Sequence, residues 1–181
     1  MTKNNKKNDK ARVSLAGEFA VLSQLALRGK DANMTLGNTK GVDILVSDPM
    51  TGRMLKLEVK THRRNSRGIG IDSESFGRYL SSWIMSKKHE EYDKEKHANL
   101  FYCFTNIIED TKQFRFFIIP AKVVADYIGW EFKHYHKMKE KAGKTAKDVG
   151  MRNFRIGSKD HKDKKIETPV VEKYEDNWDF K

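Results

Sequence analysis

Glu58 and Lys60 stand two apart in a run, Met54-Leu-Lys-Leu-Glu-Val-Lys-Thr61, that alternates apolar and charged residues. On an extended chain such a pair projects from one face, here the face opposite Leu55, Leu57 and Val59. Asp43 lies in a preceding strand-like segment, Val42-Asp-Ile-Leu-Val-Ser47, separated from the run by the turn residues Asp48-Pro-Met-Thr-Gly52. Proline presets one dihedral and glycine admits positive φ, so the two segments fold back as a hairpin. The fold-back places Asp43 roughly opposite residues 58–60. Glu18, on a helix before the hairpin, is a candidate third carboxylate. Carboxylates converging without His or Cys suit a hard cation, Mg²⁺ with Mn²⁺ as substitute, which keeps waters and accepts phosphate oxygens. Water acidified by the ion, with Lys60 to orient it and offset growing charge, is equipment for hydrolysing a phosphodiester.

The triplet alone is weak. Acid-x-Lys occurs six times, at Glu58, Asp110, Glu131, Asp160, Asp163 and Asp179. The other five fall in turns, on a helix surface or in the charged tail, so the paired strand gives the first its weight. The alternative is a trio of surface charges, whose salt bridges are nearly neutral in energy.

The positioning elements follow from periodicity. Residues 13–28 read as a helix with Leu15, Phe19, Leu22 and Ala26 inward, Ser14 as cap and Gly29 as stop. Residues 30–41 read as loop, and 62–67 as a basic loop, His62-Arg-Arg-Asn-Ser-Arg67, directly after the site strand. The spacing of Phe76, Tyr79, Leu80, Trp83 and Ile84 predicts a second helix over 74–92. Residues 99–107 and 114–119 are dense in aromatic and β-branched side chains and form a second hairpin. A helix runs from Pro120 to about Met138 with Val124, Tyr127, Ile128 and Tyr135 inward. The order is that of a mixed α/β sandwich around one sheet.

Charge sets the wider frame. The 181 residues hold 36 Lys and Arg against 25 Asp and Glu, a net of +11, which points to a polyanionic partner. The excess is uneven: +4 over residues 1–12, +8 over 133–165, −3 over 166–181, and near neutrality between 13 and 132. The expected organisation is a flexible basic arm at 1–12, a domain at 13–140, and a partly ordered basic-then-acidic tail at 141–181. No run of 18 apolar residues exists, so no helix spans a bilayer; nucleic acid is the first polyanion to expect, an anionic membrane surface the second, and no membrane partner is expected. The charged N-terminus lacks an apolar export segment, and the single cysteine, Cys103, excludes an internal disulfide framework and fits a reducing cytosol, so a cytoplasmic setting without a disulfide-linked partner is expected. Cys103 and the aromatic residues beside it read as sheet core. His89, His97, His134 and His136 read as surface residues, not zinc ligands.

The helix with Glu18, then Gly41-Val-Asp43, then Leu57-Glu-Val-Lys60, then a helix and further strands, resembles the PD-(D/E)xK nuclease superfamily. Among its members the compact archaeal Holliday-junction resolvases are similar in spacing. Val42 stands where some members carry proline, and Phe19 follows Glu18 where the resolvases place a basic residue. The resemblance covers residues 13–119 and implies a restriction-endonuclease-like core, a central mixed sheet with helices on both faces. It implies a Mg²⁺-dependent DNA endonuclease in which Asp43 and Glu58 are metal ligands, with the backbone carbonyl of Val59 completing the shell. Lys60 would assist the water, and Glu18 would be a third ligand or orient that water. His62, Arg63, Arg64 and Arg67, with Lys40, Lys137, Lys139 and Lys141, are the candidate phosphate contacts, gripping DNA without reading bases. Cutting two strands calls for two sites, hence a homodimer. The rivals are a catalytically inactive nucleic-acid-binding protein on the same fold and an assembly protein with a basic tail.

Overall fold

The computed structural model describes residues 3–35, 41–64, 71–73, 76–157 and 169–181. Lys40, Arg67 and the Gly68-Ile-Gly70 segment lie outside these residues. The chain divides into two compact units: Met1–Arg67 with Asn99–Pro120 and Glu175–Lys181, and Gly68–Ala98 with Ala121–Tyr174.

The first unit carries the candidate site. It opens with α1, Lys3–Leu27, followed by β1, Asp31–Met34, β2, Ile44–Ser47, and β3, Met54–Arg64. Its later strands are β7, Leu100–Ile108, and β8, Gln113–Pro120. They form one five-stranded mixed sheet in the order β1-β2-β3-β7-β8, with β3 and β7 parallel and all other neighbours antiparallel. The expected mixed α/β architecture around a central mixed sheet is present. β7 is buried along its whole length, as the interior of a sheet covered on both faces requires.

Helix α1 begins ten residues before the expected start, so Ser14 is not its cap. The stretch read as a basic arm enters the fold as the opening turns of this helix. The inward face also differs from expectation. Gly17, Val21 and Leu25 are buried against the sheet, while Leu15 and Phe19 are exposed. Gly17 decides this rotation: a Cβ there would lie 1.8 Å from Thr61 Oγ1, so only glycine lets the helix approach β3 so closely. Burying Val21 and Leu25 contributes about 1.5–3 kcal/mol each. The helix stops as expected at Gly29, whose φ of +68° supports a closing bond from the Lys30 amide to the Leu25 carbonyl at 3.1 Å. Residues 30–41, expected as loop, contain β1, which pairs with β2 from Asp31–Ser47 to Met34–Ile44.

The second unit holds β4, Ile71–Ser73, β5, Gly77–Tyr79, and β6, Ser81–Ser86. A single 3-10 turn follows at Lys87–Glu90, then α2, Lys94–His97, α3, Ala121–Lys141, β9, Met151–Ile156, and α4, Val171–Tyr174. The expected helix over 74–92 is therefore corrected to strands. Ser81, Trp83 and Met85 point inward and Ile84 outward, a period of two. β6 pairs antiparallel with β9, far along the chain, and this pairing overrides the local helical spacing. α3 buries Ala121, Val124, Tyr127 and Ile128, with Tyr127 edge-on to Phe154 of β9 at 5.4 Å; Tyr135 is exposed. In the first unit, Trp178 and Phe180 dock as a terminal staple against Phe116 and Phe101.

Candidate active site

The β2–β3 pairing runs Ile44–Leu57 to Ser47–Met54, which brings Asp43 to the level of Glu58. The Asp43 amide donates to the Leu57 carbonyl at 2.8 Å, so the ladder continues past the end of β2. Upstream, Thr35 fixes the approach to Asp43: its hydroxyl donates to the Val42 carbonyl at 2.7 Å and its amide to the Asp43 carbonyl at 2.9 Å. The side chain then turns over β3, where Asp43 Oδ2 accepts the Val59 amide at 2.7 Å. One carboxylate is thus pinned to the residue between Glu58 and Lys60.

Lys60 Nζ lies 2.5 Å from Glu58 Oε1. The charged face of β3 is covered at Glu58, whose side chain is only 6% exposed against 30% for Lys60. Gly41 and Tyr102 both lie against the Glu58 carboxylate. Gly41, at φ +77°, brings the incoming chain so close that a Cβ there would lie 3.4 Å from Glu58 Oε2. Tyr102, opposite Glu58 on β7, donates its hydroxyl to the Glu58 carboxylate. Burial and the Glu58 charge together push the Tyr102 phenol well above its ordinary range, so it stays a donor. Sequence reasoning missed Tyr102 because its position depends on a parallel pairing between distant segments.

Asp43 has its carboxyl pushed up, first by desolvation, with the charges of Glu18 and Glu58 adding to the shift. The Val59 amide and the Lys60 ammonium oppose it. Glu18 therefore belongs to the same electrostatic neighbourhood, and its Oε1 accepts the Ser14 hydroxyl at 3.0 Å. Among the described residues, no group of three or more His, Cys, Asp or Glu side chains is drawn together as a metal-binding cluster. The site brings Asp43, Glu58 and Lys60 together about the Val59 amide, with Glu18 acting at longer range.

The candidate phosphate contacts divide. His62, Arg63 and Arg64, expected in a loop, are the last residues of β3. Arg63 is engaged by Asp9, at 3.3 Å, and by Glu109, at 3.9 Å, while His62 is exposed. Lys137, Lys139 and Lys141 belong to α3 of the second unit, with Lys139 over the Tyr135 ring at 5.4 Å. Cys103 is buried as expected, and burial pushes its thiol up to about 12, which removes it as a nucleophile. Among the described residues no helix is long and apolar enough to cross a membrane.

No family model matches the chain. No curated protein matches it either. Among solved structures it is similar to a bacterial homing endonuclease, I-Ssp6803I, at 14% identity, covering 93% of this chain and 90% of that one, with a TM-score of 0.47. Likeness at this level identifies neither an activity nor a substrate.

Proposed function

We propose that this protein is a divalent-cation-dependent endonuclease that hydrolyses DNA phosphodiester bonds. The observation that carries the reading is the Asp43 carboxylate held on the Val59 amide, between a buried Glu58 and its partner Lys60. Among the described residues, the charges of Glu18 and Glu58 act on Asp43 and the Lys60 ammonium opposes them, in a partly desolvated place. Its donors are oxygens alone, which fits Mg²⁺ or Mn²⁺ and not zinc. Asp43 and Glu58 would hold the ion, with the Val59 carbonyl as a further oxygen. When bound, such a cation acidifies water and offsets charge on phosphate oxygens.

The protein's own groups do the rest. Lys60 is the more exposed member of its pair, so its ammonium is the group that meets a phosphate or a water first. It orients the attacking water and stabilises charge on the phosphorus oxygens. Glu18 orients water from the helix side. Tyr102 holds the Glu58 carboxylate in a single pose, which keeps the constellation assembled before substrate arrives. The net charge of +11 supplies attraction for a polyanion, and binding weakens steeply with salt as phosphate counterions are released.

The deciding experiment is cleavage of supercoiled plasmid and of branched DNA with Mg²⁺ or Mn²⁺, by wild type, Glu58→Ala and Lys60→Ala. Wild type nicks or linearises, and both variants bind but do not cut. Binding without cleavage by wild type would make the protein a non-catalytic nucleic-acid binder. Equal cutting by the variants would remove the site. Calorimetric titration of Mg²⁺ into wild type and Asp43→Asn checks the cation independently, with heat expected only from wild type.

A further inference from the structure

The second unit holds a cavity of about 510 Å³ between the C-terminal half of α3, the segment 145–149 and β9. That size falls in the range of about 300–1,000 Å³ of sites that take a single small molecule. The walls are fixed. Segment 145–149 is pinned at Asp148, which accepts from Arg152 at 2.9 Å and from the Lys87 ammonium at 3.2 Å. The Lys87 amide also donates to the Gly150 carbonyl at 2.9 Å. Across the cavity, Arg155 of β9 pairs with the buried Glu131 of α3, and its guanidinium lies 4.1 Å over the Phe76 ring. Glu131, the acid of the lining, is thereby neutralised, and no acid among the described residues pairs with Lys147. Three large apolar side chains of the lining stay exposed, Tyr135 by 37%, Val149 by 72% and Met151 by 50%. Apolar side chains gathered around one hollow mark an interaction site. Phe132 and His136, one turn apart on α3, add ring surface, with centroids 4.2 Å apart. Asn153 adds an amide, a donor and an acceptor side by side, which no hydrogen bond among the described residues engages.

We propose that this cavity binds one nucleoside monophosphate unit, free or carried unpaired in a DNA strand. Three kinds of contact converge in one lining. The Tyr135 ring offers a face on which a base stacks, a contact open to every base because every base has a π-face. The Asn153 amide matches the mixed donors and acceptors of a base edge. The Lys147 ammonium, without an acid of its own, takes the phosphate. An inorganic anion would use the lysine and leave the apolar rim bare. An anionic lipid surface would use the rim and the lysine and leave the hollow beneath them empty. A base stacked in duplex cannot enter, so a base supplied by a strand must be unpaired or turned out. The inference goes beyond the nuclease reading and does not depend on it, since every residue invoked belongs to the second unit and the binding needs no divalent cation.

The test is titration of the full chain in EDTA, which silences the candidate metal site. The probes are deoxyadenosine monophosphate, deoxyadenosine, inorganic phosphate, and 2-aminopurine placed in a single-stranded oligonucleotide and in a matched duplex. The monophosphate is expected to bind, with deoxyadenosine about tenfold weaker for want of one charge-assisted bond. Lys147→Gln brings the monophosphate down to the level of deoxyadenosine and leaves deoxyadenosine unchanged, which a merely structural lysine would not do. On the oligonucleotide the same variant lowers the salt slope by about 0.7. Tyr135→Ala weakens nucleotide and nucleoside alike, about tenfold, with unchanged circular dichroism because Tyr135 is exposed; if it fails to fold, Lys147→Gln decides alone. Quenching of 2-aminopurine in the single strand and not in the duplex identifies a strand as the source, and monophosphate binding without quenching identifies a free nucleotide. The proposal is overturned if neither the monophosphate nor the single strand binds at about 1 mM. It is equally overturned if phosphate binds as tightly as the monophosphate, if Lys147→Gln weakens nucleotide and nucleoside equally, or if folded Tyr135→Ala binds like wild type. Capture by phosphatidylserine vesicles with no nucleotide bound would make the rim a lipid contact instead.

Discussion

Each unit buries a cluster of charge, and the two clusters are built in opposite ways. In the second unit, Glu90, Glu131 and Asp148 each pair with a guanidinium. Arg152, with a side chain only 1% exposed, is shared by Glu90 and Asp148 and lies 3.6 Å over the Phe132 ring. Arg155 pairs with the buried Glu131 and stacks on Phe76 at 4.1 Å. In the first unit, Asp43 resists ionisation, first because it is desolvated and then because the charges of Glu18 and Glu58 act on it, with the Lys60 ammonium opposing. A structural cluster is balanced because unpaired buried charge costs several kcal/mol. A cluster left unbalanced on a rigid strand pair is a site that a cation or a substrate completes.

That contrast is broken most forcefully through activity. Glu58→Gln and Lys60→Met should each lower Mg²⁺-dependent DNA cleavage about 10²–10³-fold, the usual loss for one preorganised electrostatic group. Glu58→Gln should leave the melting temperature near wild type, whereas Lys60→Met should lower it, because it leaves the buried Glu58 carboxylate without its ammonium. In the second unit the prediction reverses. Arg152→Met should cost about 2–3 kcal/mol in urea unfolding, less than a fully enclosed pair because its partners are partly exposed. Its cleavage rate, measured on the remaining folded protein, should be near wild type. An Arg152 variant that unfolds normally but does not cut would erase the distinction between the clusters.

Intermediate effects test how the site is held. Gly17→Ala forces a methyl toward Thr61, next to Lys60 on β3, and should destabilise by about 1–3 kcal/mol through overpacking. Gly29→Ala, at the helix stop where no neighbour crowds the position, strains only the backbone and serves as the control. Tyr102→Phe removes the phenol that holds Glu58 and should reduce cleavage about tenfold, the worth of one hydrogen bond to a charged group. A positioning role further predicts that excess Mg²⁺ does not restore the rate, whereas a simple loss of cation affinity would be restored.

The site was legible where it depended on local order. Alternation in residues 54–61, a short turn and Asp43 upstream were enough to place two carboxylates and a lysine together. Glu58 burial was not legible, because Gly41 and Tyr102 reach it through a left-handed approach and a parallel pairing between β3 and β7. The same limit explains the largest error in the fold. Phe76, Tyr79, Leu80, Trp83 and Ile84 satisfy a helical period, yet Ser81, Trp83 and Met85 satisfy a strand period equally well. The partner that decides between them, β9, begins at Met151, inside a segment whose charge suggested a tail. Helix α1 was found but turned, since both of its faces are apolar and only Gly17 reveals which one meets the sheet.

The smallest expected effect concerns acid. Asp148 accepts Arg152 at 2.9 Å, the Gly150 amide at 2.9 Å and Lys87 at 3.2 Å, and these partners, Arg152 foremost, hold its carboxyl well below the usual carboxylate range. A group whose folded pKa is depressed binds its proton more readily unfolded. Its contribution to stability is therefore complete above the ordinary value of about 4 and is lost as pH falls through the lower folded value. Asp148→Asn should accordingly be less stable than wild type by a constant margin from pH 7 to pH 5, and the margin should shrink below about pH 4. At pH 7 without added cation, Asp43→Asn should do the opposite and raise the melting temperature, because it removes a carboxylate that is desolvated and repelled by Glu18 and Glu58 while leaving an acceptor for the Val59 amide. Thermal unfolding of the two variants in one buffer reads both signs. If the two substitutions shift stability in the same direction, Asp43 and Glu58 are ordinary paired charges and the difference between the two clusters disappears.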